Sequence, residues 1–354
     1  MPNTQAFRPN WASAPGDTIV DVLKQRDLSV IEFAQRMGQT REDAVELIQG
    51  RTAITIAVAR QLERVLGGSV EFWMSRDFQY REDAARLDDE WLEGLPLGDM
   101  VSFGWLKPAR DRADQVATVL QFFNVPSTRL LRESYANLQE MVAFRTSPAF
   151  ESQPAAVAAW LRQGEIQAET ITCDPWDTER FQERLSKIRS LTRNKDPKRF
   201  LPVLEKLCAE AGVAVVVVRA PAGCRASGAT RFLSRDKALL MLSFRYLTDD
   251  QFWFTFFHEA GHLLLHGERG FFLEGEGRDL TTEEKEASAF AARTLIPPEF
   301  QDALLRLPLD GREVVRFAVR IGVAAGVVVG QMQHHKTIRH NQLNRLKRHF
   351  QWED

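Results

Sequence analysis

Phe254-Thr255-Phe256-Phe257-His258-Glu259-Ala260-Gly261-His262-Leu263-Leu264-Leu265-His266 is the stretch that organises the chain. It lies in an apolar segment, Asp249 to Gly267, with Phe252 and Trp253 just upstream. A helix apolar nearly all round is a buried one. Helical residues four apart share a face, about 6 Å apart along the axis, so His258 and His262 can reach one ion. Two imidazoles and a carboxylate buried there are costly unless satisfied, and a metal satisfies them. Glu259 beside them is placed to take a proton from water activated at zinc, the logic of H-E-x-x-H on a helix. The motif is short, and its helical, buried setting is what separates it from a chance match. Thr248 and Gln251 make a capping-box pattern, Asp249 and Asp250 suit the positive helix end, and Gly267 is a natural stop. Gly261 inside the helix costs roughly 1 kcal/mol against Ala, which close approach of another backbone would explain.

Two His need a third protein ligand. His266 lies two turns from His258, about 12 Å along a straight helix, too far for both to bind one ion through bonds of about 2.1 Å. Its place is the negative end of the helix. The metzincin extension fails because Leu265 stands where a Gly is needed. The next helix, Thr281 to Ala292, offers carboxylates. It opens with a Thr281/Glu284 capping-box pattern, and Ala287, Phe290, Ala291 and Thr294 form its inward face. Glu286 flanks that face, Glu283 sits near the cap, and Glu284 points further round. Helical phase favours Glu286 over Glu283. Pro297-Pro298 ends the helix.

Together with Glu286-Ala287-Ser288-Ala289-Phe290-Ala291 and Leu295-Ile296-Pro297, the motif segment resembles the ImmA/IrrE family of bacterial zinc metallopeptidases. The resemblance implies His258, His262 and Glu286 as zinc ligands and Glu259 as the catalytic base. Gly212-Val213-Ala214-Val215-Val216-Val217 resembles the family's strand entry, and Gly228-Ala229-Thr230 and Leu240-Met241-Leu242-Ser243 its short strands. Ala260 departs from the commoner Leu. The resemblance is specific over about residues 190–300. It implies a protein substrate, a helix-turn-helix repressor cut in stress, mobile-element or defence regulation.

The N-terminal pattern is different. Residues 15–80 read as short amphipathic helices, with Phe33-Ala34-x-x-Met37-Gly38, a turn at Gly38-Gln39-Thr40, and a further helix from Arg41 to Gln49. Helix, Gly-containing turn, helix is the helix-turn-helix pattern. With Gly50-Arg51 it resembles the xenobiotic-response-element (XRE) repressors, and Glu71-Phe72-Trp73 with Tyr80-Arg81 resembles their HigA antidote subgroup. Gln39, Thr40, Arg41, Gln49 and Arg51 are the candidate contacts to double-stranded DNA. Against this, Glu42, Asp43 and Glu46 outnumber Arg41 on the recognition helix, and DNA binding needs positive charge over the phosphates. The bland alternative is a helical bundle for dimerisation or protein contact, which allows a homodimer.

The 354 residues carry 44% hydrophobic residues and a net charge of −2, enough core for two or three domains and no global attraction to nucleic acid or anionic membrane. Cys173, Cys208 and Cys224 show no C-x-x-C spacing, which fits a reducing cytoplasm. No signal peptide pattern opens the chain, and its apolar runs are too short to span a membrane. Helices are expected at Ala113–Phe123, Tyr135–Arg145, Pro154–Arg162 and Thr178–Leu191. Phe317-Ala318-x-x-Ile321-Gly322 echoes the N-terminal turn, and a basic tail follows with His334-His335, which reads as a solvated helix.

The expected architecture is multidomain and mainly α with a small α+β part. It comprises a helix-turn-helix bundle (1–95), a helical connecting region (96–190), a zincin-like H-E-x-x-H domain with a small sheet (191–310) and a helical C-terminus (311–354). The leading functional expectation is a cytoplasmic zinc endopeptidase. Its rival is an antitoxin or repressor that binds DNA and a cognate toxin and holds a non-catalytic metal site.

Overall fold

The computed structural model describes residues 12–128, 130–131, 153–245, 247–267, 272–274 and 282–351. They fall into two compact units, one ending at Glu93 and including the short stretch from Ser127, the other holding the rest.

The first unit is five helices: α1 (Pro15–Gln25), α2 (Val30–Met37), α3 (Arg41–Ile48), α4 (Ile56–Leu66) and α5 (Val70–Glu93). Ile19, Phe33, Met37, Leu47, Leu62 and Trp73 close its core. Reciprocal caps set the helix starts. The Ser29 hydroxyl accepts from Glu32 N–H while the Glu32 carboxylate accepts from Ser29 N–H, and Thr40 and Asp43 repeat the device for α3. Each box satisfies two otherwise orphaned donors. Gly38 ends α2 with φ of 68°, a left-handed turn that suits a residue without a Cβ. The helix-turn-helix is thus built as the pattern predicts.

The second unit carries α6 (Leu97–Ser102), α7 (Arg112–Phe123), α8 (Pro154–Thr170), α9 (Thr178–Leu191) and α10 (Pro197–Ala209). Next come β1 (Val213–Val217), β2 (Gly228–Ser234), β3 (Lys237–Leu242), α11 (Asp249–Leu265), β4 (Phe272–Glu274) and α12 (Thr282–Leu295). Then follow α13 (Gln301–Leu305), α14 (Gly311–Ile321) and α15 (Ala325–His334). The sheet runs β1-β3-β2-β4. β1 is parallel to β3, with Val213 opposite Ala238, and the other two pairings are antiparallel. β1 and, after its first residue Lys237, β3 are continuous apolar runs, as strands covered on both faces require. Ala238, Leu240 and Leu242 share one core with Trp253, Phe256 and Phe257 of α11. Side chains alternate along a strand, and Met241 faces Gly164 of α8 instead. So α8 covers one face of the sheet and α11 the other. The Trp160 indole of α8 donates to Val218 O at 2.9 Å.

Two expectations change. The region 96–190 read as a connector, yet α8 backs the sheet and α9 contributes Phe181, Leu185 and Ile188 to the core around α11. The expected helix Tyr135–Arg145 lies outside the described residues. His334 and His335 are exposed at the end of α15, as expected, but the basic residues beyond them do not continue as a solvated helix. After α15 the helical structure among the described residues is a short 3-10 turn, Asn344–Leu346. Lys347 Nζ reaches Asp250 Oδ2 at 2.6 Å, and the Arg348 guanidinium donates to Thr192, Arg193 and Asn194 carbonyls. Phe350 packs on Phe200, Phe244 and Phe252. The reason is electrostatic. Asp249 and Asp250 are buried at the start of α11, and buried carboxylates need cationic partners and hydrogen bonds.

Candidate metal centre

α11 is the element that positions the site. Phe252, Trp253, Phe256, Phe257, Ala260 and Leu263 enter the core, while His258, Glu259 and His262 are buried on the remaining face. Its start does not use the expected capping box, because Thr248 makes no side-chain cap hydrogen bond. Its neighbour α12 comes very close. A Cβ on Gly261 would stand 3.2 Å from Ala287 Cα and 3.1 Å from Phe290 Cδ1. The glycine therefore serves helix–helix approach, as its cost in a helix suggested.

That approach brings a carboxylate to the two imidazoles. His258 Nε2 and His262 Nε2 lie 3.0 Å apart, and the Glu284 carboxylate stands 3.1 Å from the first and 3.5 Å from the second. These donor atoms all fall within 4.8 Å of one another, and all three residues are buried. Two imidazole nitrogens and a carboxylate are a donor set suited to zinc and related divalent ions, so the residues fit a metal. Burial alone would raise the Glu284 pKa, but hydrogen bonds and charge from His258 and His262 outweigh it and hold the carboxyl well below its usual range. Burial, against the pull of Glu284, lowers the pKa of His262. Both directions favour the ligating forms, an ionised carboxylate and a neutral imidazole.

Glu286 is not the residue brought to this cluster. Its side chain is 55% exposed against 11% for Glu284, and it meets His266 Nε2 at 3.0 Å. The physical reason is helical phase. Glu284, Ala287, Ala291 and Leu295 are the buried residues of α12, spaced i, i+3, i+7, i+11 along one stripe. Reading Glu284 as a capping residue hid it from that stripe. Glu283 is exposed on the same turn. Ser288, one turn after Glu284, places its hydroxyl 3.3 Å from His258 Nδ1.

Glu259 is wholly buried, and its Oε2 accepts from the Thr230 hydroxyl of β2 at 2.9 Å. Gly228, at the start of the same strand, leaves the room. A Cβ there would stand 2.6 Å from Glu259 Oε1 and 2.6 Å from Thr255 Cγ2. Gly228, Thr230 and Ser288 lie in stretches that resemble the family, but their contacts with the motif carry no signal in the linear sequence, since strand and helix packing alone bring them to it.

The five candidate DNA contacts in the first unit are placed unevenly. Arg41 is exposed. The Thr40 hydroxyl is committed to Asp43, donating to Oδ2 at 2.7 Å. Arg51 pairs with Glu46 at 2.8 Å. Gln39 and Gln49 are half-buried. No helix among the described residues is long and apolar enough to cross a membrane.

Residues 211–332 match the Peptidase_M78 family model, described as the IrrE N-terminal-like domain. A stretch of 61 residues, 17% of this chain, is 34% identical to the Uncharacterized HTH-type transcriptional regulator YddM of Escherichia coli (strain K12). That match spans 65% of the relative's length.

Proposed function

We propose that the chain, whose residues 211–332 match the IrrE N-terminal-like family model, is a zinc-dependent endopeptidase of the ImmA/IrrE type with a helix-turn-helix part. The observation that carries the reading is the convergence of His258 Nε2, His262 Nε2 and the Glu284 carboxylate beside a buried, anchored Glu259. A purely structural site has no need of that last carboxylate.

Bound zinc supplies Lewis acidity, making water acidic near pH 7 and polarising a carbonyl. His258, His262 and Glu284 would hold it. The Thr230 hydroxyl occupies one side of Glu259 Oε2 and fixes the plane of that carboxylate. Glu259 takes the proton of the attacking water as the C–O bond forms, then delivers it to the peptide nitrogen as the C–N bond breaks. The buried surroundings strengthen each of these charge interactions.

The substrate is proposed to be a folded regulator of the helix-turn-helix class, and the site of action the cytoplasm. The direct test is Glu259→Gln. The variant keeps the zinc of the wild-type chain and loses cleavage of a helix-turn-helix repressor, read by mass spectrometry of the products. Undiminished cleavage would refute the assignment of Glu259.

The helix-turn-helix unit, and a relative named as a transcriptional regulator, favour a second reading: a DNA-binding antitoxin or repressor with a non-catalytic metal site. Glu42, Asp43 and Glu46 on α3 weigh against it, because duplex DNA repels them. Sequence-specific gel shifts unaffected by Glu259→Gln, with no cleavage of any repressor, would favour this reading over the peptidase.

A further inference from the structure

His266 and Glu286 lie outside the ligand set, yet they connect to it. The His262 ring points Nε2 at His258 Nε2 and the Glu284 carboxylate, and its other nitrogen, Nδ1, lies 3.0 Å from His266 Nδ1. On the far side of that second ring, Nε2 lies 3.0 Å from Glu286 Oε2. Only one proton arrangement satisfies the whole row with neutral imidazoles. A carboxylate only accepts, so His266 carries its proton on Nε2 and donates it to Glu286. His266 Nδ1 is then a lone pair and accepts from His262 Nδ1–H. That leaves the lone pair of His262 on Nε2, aimed at the metal position.

We propose that Glu286 and His266 form a positioning relay that locks His262 in its metal-ligating tautomer and ring orientation. This rests on the metal-centre reading above. Metal-bound histidines commonly donate their second N–H to such a partner, and the partner raises their basicity and holds the ring. Here the partner is another histidine, supplied by the end of the same helix, oriented in turn by a carboxylate of the next one. The two residues sit where the relay requires. His266 follows the last residue of α11, its N–H bonded to His262 O at 3.0 Å, so backbone and side chain both tie it to the ligand. Glu286 is exposed but reaches back over His266, whose side chain is only 9% exposed. His258 is served differently, by the Ser288 hydroxyl at Nδ1, so the two ligands are held by independent devices.

The test is zinc affinity of the full chain, measured by competition with a chelator of known affinity. His266→Leu removes the acceptor and weakens zinc binding by about 10- to 100-fold. His266→Asn keeps an acceptor oxygen close to the position of Nδ1 and restores most of that loss. Glu286→Ala acts only through His266, so it weakens zinc binding in the wild-type background and adds nothing to His266→Leu. Absorption of the cobalt-substituted chain reports the same loss as an altered ligand field. The relay is overturned by a His266→Leu chain that binds zinc within about twofold of wild type, well inside the range such partners show. It is equally overturned by full additivity of the two changes. A chain that binds zinc with this dependence and cleaves no protein would refute the peptidase reading and leave the relay standing.

Discussion

Replacing Gly261 by Ala sets two calculable effects against each other. Alanine gains roughly 1 kcal/mol of helix propensity over glycine in a helix interior. The new methyl, however, would meet Ala287 Cα at 3.2 Å and the Phe290 side chain at 3.1 Å and 3.3 Å. Comfortable carbon contacts lie at about 3.5–4.0 Å, so α12 must retreat by roughly 0.4 Å to relieve the backbone contact. Overpacking of this kind costs about 1–3 kcal/mol. The net effect is a loss of about 0–2 kcal/mol in stability, modest because the propensity gain offsets part of it. Zinc binding suffers more. Glu284 lies one turn before Ala287 on the helix that moves, and metal–ligand distances tolerate only about 0.2 Å. The expected loss of zinc affinity is on the order of tenfold. Urea unfolding of the metal-free chain and chelator competition read the two effects separately. A variant stabilised by the full propensity gain, with wild-type zinc affinity, would show that the close approach of α12 does not set the ligand geometry.

Gly228→Ala directs a methyl at Glu259 Oε1, with 2.6 Å between them; the variant is expected to keep zinc and lose peptide hydrolysis, and normal turnover would show that Glu259 needs no such space. Asp249 is pushed from its usual 3.8 to about 6, chiefly by burial. Its folded-state pKa is the raised one, so its contribution is complete below about pH 4 and is lost as pH rises through about 6. Asp249→Asn should therefore gain on wild type by up to roughly 3 kcal/mol between pH 4 and pH 7 in the metal-free chain; parallel stability profiles would refute this. Arg41→Ala in the helix-turn-helix should weaken any duplex binding equally across sequences and flatten its salt dependence if Arg41 meets phosphate; an unchanged salt slope in gel shifts would exclude that contact.

How much of this was legible in the chain depends on the range of the interaction. The α11 helix, its buried setting and the pairing of His258 with His262 follow from local periodicity, and the structure places them together. Gly261 was legible as an anomaly whose cause needed a partner helix, and Ala287 and Phe290 are that partner. Glu284 was visible but misread. Its place three residues after Thr281 satisfied a local capping rule, while its phase with Ala287, Ala291 and Leu295 put it on the buried stripe. The capping partner Thr281 lies outside the described residues. Thr230 and Ser288 were out of reach, because sequence separations of 29 and 30 residues from their partners are closed only by packing. The docked tail was missed for a related reason. Lys347 and Arg348 read as solvated until Asp249 and Asp250 are seen to be buried beneath them.

The central claim is a single metal position held by His258, His262 and Glu284, with Glu286 outside it. Elemental analysis of the zinc-loaded, gel-filtered full chain tests it most directly when wild type is compared with Glu284→Ala. Stoichiometric zinc is expected in the wild-type chain, and its loss from the variant. A wild-type chain without zinc, or a Glu284→Ala chain that retains a full complement, would contradict it.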